Sequence, residues 1–112
     1  IKSAATLVIM KSTPLPSQIE HLAHRKLLDY QSNNPGTCFS EPGFNITVAA
    51  AYHLQDAVTR LRVKSGESVI GYKVGCTGSG TKAQFGINGP IRGTLFKDEA
   101  RQNNASIDPN EF

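Results

Sequence analysis

The chain has 112 residues, 38% of them hydrophobic, with ten glycines and six prolines; this suits one loop-rich globular domain, is too short for two, and is unlike a disordered tail. Its twelve basic and nine acidic residues give a net charge of +3 and a pI near 9.0. They are interspersed, and the densest basic stretch, Arg60 to Lys64, holds only three positives, which argues against the continuous stripe of a nucleic-acid binder.

Cys38 and Cys76 are 38 residues apart and form no C-x-x-C pair. Two cysteines alone do not make the ligand set of a structural zinc site. With no other sign of export, reduced thiols in a cytoplasmic protein are the expectation. The aliphatic run Leu7-Val8-Ile9-Met10 is far too short for a membrane span or a signal-peptide core. The sequon Asn45-Ile46-Thr47 is read as coincidental for the same reason. The chain opens on Ile1, so its native start is Met10 or lies upstream. Residues 1–13 are therefore set apart as a leader, and 14–112 are read as one domain.

After Pro14 and Pro16 the spacing predicts a helix over Ser17–Gln31, with Ile19, Leu22, Ala23, Leu27 and Tyr30 on one face. Ser17 and Glu20 have the spacing of a capping box, and Asn33-Asn34-Pro35-Gly36 stops the helix. Thr37–Asn45 reads as a loop. Thr47 then caps a second helix running to Lys64, with Ala51, Leu54, Val58 and Leu61 inward and Asp56, Arg60 and Lys64 off that face. Ser65-Gly66 ends it.

The β-branched run Ser68–Cys76 predicts a strand. Alternation puts Val69, Gly71, Lys73 and Gly75 on one face and Ile70, Tyr72, Val74 and Cys76 on the other. Lys73 thus shares its face with two glycines, which leave room for something to approach the backbone. Gly78–Gly80 reads as a turn, Thr81–Phe85 as a short helix, Gly86–Gly93 as a loop and Thr94–Phe96 as a short strand. Two helices and two short strands are little for a closed core, so the chain reads as part of a larger domain.

Three constellations compete for chemistry. Gly75-Cys76-Thr77-Gly78-Ser79-Gly80-Thr81-Lys82 approaches a phosphate-binding loop, but Thr81 precedes Lys82 where the pattern requires the reverse order. His21 and His24 are spaced i, i+3, and with His53 they lack an evident route to a metal site; surface histidines account for them. Cys76 has no neighbouring base in sequence, so it reads as a small buried hydrophobe. Lys73 remains. A strand lysine is ordinarily an exposed edge residue, but this one stands alone in an apolar, glycine-flanked strand.

The strings Gly71-Tyr72-Lys73-Val74-Gly75-Cys76-Thr77, Gln84-Phe85-Gly86-Ile87-Asn88 and Gly89-Pro90-Ile91-Arg92-Gly93-Thr94-Leu95-Phe96 resemble, in order and spacing, the 2-keto-4-pentenoate hydratase and 4-oxalocrotonate decarboxylase family. That family lies within the fumarylacetoacetate hydrolase superfamily. Ala51-Tyr52-His53-Leu54-Gln55 and Ser65-Gly66-Glu67 also fit, so the resemblance covers Pro16 to Phe112. It implies an α+β fold, a helical region leading into the first strands of a mixed β-roll that is incomplete here. It also implies an Mg²⁺- or Mn²⁺-dependent lyase acting on 2-keto- or 2-hydroxy-dienoates from aromatic breakdown, oligomeric at full length.

Carried over by the resemblance, Lys73 is the catalytic residue, holding a carboxylate or enolate oxygen and assisting proton transfer, and Gly75 and Thr77 bind substrate. The metal ligands, an E-x-E pair and a further Glu, are expected just beyond Phe112. Glu111 is not one of them, and the chain alone is expected to be inactive. Hydratases of the family carry an acid after the loop proline. Here Ile91 stands there, followed by Arg92, which leaves hydration and decarboxylation as alternatives. A non-catalytic interaction module built on the same fold is the alternative from another class. Neither nucleic acid nor membrane is expected as a partner.

Overall fold

In a computed structural model of the protein, the described residues are 16–34, 36–86 and 88–111; the leader of residues 1–13 lies outside them. The chain divides into two compact units, one up to Arg62 and again from Ser106, the other Val63–Ala105.

The first unit is built on two helices, α1 (Pro16–Gln31) and α2 (Val48–Lys64). Because α1 begins at Pro16, Ser17 lies inside its first turn, and the capping box expected from Ser17 and Glu20 is not its start. Proline suits that turn, where a missing N–H costs nothing. Thr47 does cap α2, its Oγ1 accepting from the Ala50 N–H at 3.1 Å, which satisfies one of the helix's unpaired first-turn donors. At the other end Gly66 takes φ 107° and donates to the Val63 carbonyl at 3.0 Å, a conformation that glycine adopts without strain.

The core of this unit is Ile19, Ala23, Ala50, Leu54 and Ala57, with Leu22, Ile46, Val58 and Leu61 packed against it. On the inward face of α2 the expected Leu54 is buried and Val58 and Leu61 pack against the core; only in the first turn does the face differ, with Ala50 buried and Ala51 exposed. Tyr30, expected on the buried face of α1, is 46% exposed. Its ring instead covers the guanidinium of buried Arg62, 4.8 Å from the centroid.

Between the helices, the expected loop over Thr37–Asn45 contains a 3₁₀ turn, Thr37–Ser40, which buries Cys38 completely. One face of α1 holds it. Asp29 accepts from the Thr37 N–H at 2.9 Å and hydroxyl at 2.7 Å, Arg25 donates to Thr37 Oγ1 and pairs with Glu41, and Lys26 lies over the Phe39 ring. The Thr37 hydrogen bonds hold the Asp29 carboxyl below its ordinary value of 3.8, helped by the nearby Arg25 and Lys26 charges and opposed by burial. The Arg25 guanidinium is shifted upward by its hydrogen bond to Glu41.

The second unit is an antiparallel hairpin of β1 (Val69–Gly75) and β2 (Ile91–Phe96), with a short helix α3 (Ser79–Phe85) between the strands. Two corrections follow. The helix begins at Ser79, not Thr81, so Ser79 and Gly80 are helical. The second strand begins at Ile91, not Thr94, because pairing with Lys73, Val74 and Gly75 extends it into the expected loop. The Lys97 N–H donates to the Ser68 carbonyl at 2.9 Å and continues the pairing past Phe96, which is 3% exposed. Polar residues follow, with 3₁₀ turns at Lys97–Glu99 and Pro109–Glu111.

Candidate functional site

The register of the hairpin fixes what surrounds Lys73. Lys73 pairs with Gly93, Gly71 with Leu95 and Gly75 with Ile91. Directly opposed residues of an antiparallel pair share a face, so one face carries Lys73 among three glycines, one more than β1 alone supplies. Tyr72, Val74, Arg92 and Thr94 occupy the other face, where the Arg92 guanidinium lies 5.4 Å from the Tyr72 ring centroid.

A register shift between Val69 and Gly71 marks a bulge, and it overturns the strict alternation expected for the first part of β1. Val69 pairs with Phe96, which lies on the Thr94 side of β2. Val69 therefore joins the face of Tyr72 and Val74, not that of Lys73.

Lys73 is exposed. Among the described residues its ammonium enters no ion pair, so its charge is open to an external anion. Gly75 lies two residues along on the same face and ends the strand. Cys76 then takes φ 55°, which turns the chain away, so Thr77 stands beyond the strand and is exposed. Cys76 is half-buried, not the buried hydrophobe expected. The two thiols are free.

The other candidates are located as follows. His21, His24 and His53 are exposed. His53 lines a cleft of 260 Å³ in the first unit with Pro16, Ile19, Glu20, Ala50 and Arg60, where Arg60 and Glu20 are paired at 3.2 Å. Among the described residues no three His, Cys, Asp or Glu side chains are grouped to hold a metal ion. The divalent cation that the resemblance implies therefore finds no ligand set in them. In Gly75–Lys82 the helix opens at Ser79, one residue before the Gly80-Thr81-Lys82 end of the string.

Sequence reasoning missed Gly93, Ile91 and Leu95 as neighbours of Lys73. The signal that finds them is the register of β2 against β1, which the pattern of either strand alone does not carry.

No protein-family profile matches the chain. Two characterised proteins are similar to it. Over 83 residues, 74% of this chain, it is 31% identical to a 2-keto-4-pentenoate hydratase of Paraburkholderia xenovorans (strain LB400) and, to the same extent, to 2-keto-4-pentenoate hydratase 3 of Pseudomonas putida. The matched segment spans 31% of the length of each relative, about a third.

Proposed function

We propose that this chain is part of a hydratase-like lyase that acts on a 2-keto-4-enoic acid in its 2-hydroxydienoate form, and that Lys73 binds the acid. The observation that carries this reading is the similarity over 83 residues to two proteins named for 2-keto-4-pentenoate hydration. The charge of Lys73, in no ion pair among the described residues and on a face with Gly71, Gly75 and Gly93, supports it chemically.

A 2-hydroxydienoate has a carboxylate beside an enol, and negative charge builds on the enol oxygen as its proton leaves, before C5 takes up a proton and the carbon–carbon double bond moves to C3–C4. An ammonium positioned at those two oxygens favours the charged form over the neutral one and so lowers the barrier to tautomerisation. Water then adds across the remaining conjugated double bond. In this role Lys73 holds the acid and stabilises the enolate, while Gly75 keeps the ledge beside it low and Thr77 offers a hydroxyl at the strand's end. The divalent cation of the resemblance, Mg²⁺ or Mn²⁺, is assigned to carboxylates outside the described residues, and no step above depends on it.

Ile91 in place of an acid keeps decarboxylation as the second chemistry, because that replacement removes a proton carrier from the Lys73 face. Product analysis separates the two. Incubating the full-length protein with a 2-hydroxydienoate in ¹⁸O-water is expected to give a 4-hydroxy-2-keto acid carrying the label at C4. Release of CO₂ from a 4-oxalocrotonate-type diacid without label incorporation would move the assignment to decarboxylation. Inertness toward both acids would remove the lyase reading.

A further inference from the structure

The Lys73 face has a complementary pattern of sizes. Along β1 it reads Gly71, Lys73, Gly75, and along the paired positions of β2 it reads Leu95, Gly93, Ile91. Every large side chain on one strand is opposed by a glycine on the other. Ile91 leans over Gly75, where an added Cβ would lie 3.9 Å from its Cγ1.

Gly93 is different. A Cβ there would meet nothing within 4 Å, and Gly93 is not among the glycines with positive φ. Glycine weakens a strand interior, yet neither backbone conformation nor packing among the described residues calls for one here. What Gly93 leaves is an open space on the Lys73 face, flanked along β2 by Ile91 and Leu95, which are 37% and 39% exposed. A cation beside a gap between two aliphatic side chains fits an anion with a narrow apolar tail.

We infer that Gly93, Ile91 and Leu95 set the tail specificity of the acid that Lys73 holds. Gly93 forms the floor of the slot and Ile91 and Leu95 its walls, and the slot favours an unbranched tail over a branched or longer one. The inference rests on the reading of Lys73 given above and adds to it the residues that choose among acids. A methylene more or less against an aliphatic wall changes kcat/KM by about tenfold or more, which makes the assignment measurable.

The test compares kcat/KM of the full-length protein for an unsubstituted 2-hydroxydienoate and for the analogue with a methyl group on its distal carbon. Gly93→Ala is expected to keep or raise the melting temperature, since nothing obstructs the new methyl, and to lower kcat/KM for both acids by about tenfold. Leu95→Ala and Ile91→Ala are expected to shift the ratio about tenfold toward the methylated acid. Should either truncation fail to fold, Gly93→Ala decides the matter alone. If the wild type is active and none of the three variants alters rate or ratio, the slot is overturned while Lys73 keeps its role. If the wild type turns over neither acid, the underlying reading and the slot fall together.

Discussion

Lys73 and Asp29 stand in opposite surroundings. Lys73 is exposed and unpaired among the described residues, so its removal should leave the fold intact. Asp29 is buried and holds a loop. Because the Asp29 carboxyl is depressed in the folded state, chiefly by the Thr37 hydrogen bonds, its contribution to stability is present in full above the ordinary value of 3.8 and is lost as pH falls through the lower folded value. Asp29→Asn should therefore lower the melting temperature at pH 7, and the gap from wild type should close as the pH of the melt is taken below 3.8. A gap independent of pH would place the effect in packing and not in charge. Asp29 was not legible from sequence. Nothing in the string of α1 distinguishes it from a solvated helix residue, because its partner Thr37 belongs to what reads as plain loop.

At the scale of elements, the helices were legible because both periodicity and caps act locally. Gln31, Thr47 and Lys64 fall where the sequence puts them. Leu54, Val58 and Leu61 on the inward face of α2 were legible too, but its first turn was not, because alanines at 49, 50 and 51 leave the periodicity one residue of freedom and it is Ala50 that joins the core. Leu54→Ala should cost about 2–5 kcal/mol in chemical denaturation, as a leucine removed from the middle of that core. Thr47→Ala should cost about 1 kcal/mol through the lost cap. If Thr47→Ala melts with the wild type, the cap is replaced by water. The strands were less legible than the helices. A hairpin's register depends on a partner distant in sequence, so both the bulge that moves Val69 and the extension of β2 to Ile91 escaped a reading made strand by strand.

At the scale of the whole molecule, the two units are unequally supported. The first has a contiguous core of five buried residues. In the second, Phe96 is the buried hydrophobe among the described residues, while Ile70, Tyr72 and Val74 are 53%, 59% and 57% exposed. A two-stranded hairpin is marginal without further cover. Amide exchange of the 112-residue chain should therefore be faster across β1 and β2 than in the middle of α1 and α2, and equal protection would show that the hairpin is covered. No helix among the described residues is long and apolar enough to cross a membrane. The α+β character of the chain was legible from its strings, whereas its functional reading comes from the Lys73 motif and the similarity over 83 residues. The most direct test of that reading is kcat of the full-length protein on a 2-hydroxydienoate with Lys73→Ala beside Lys64→Ala, an exposed lysine at the end of α2. Loss of charge stabilisation predicts a fall in kcat of about 10²–10³ for Lys73→Ala, no change for Lys64→Ala, and wild-type melting for both. Full activity in Lys73→Ala would contradict the assignment and leave Lys73 an ordinary surface lysine.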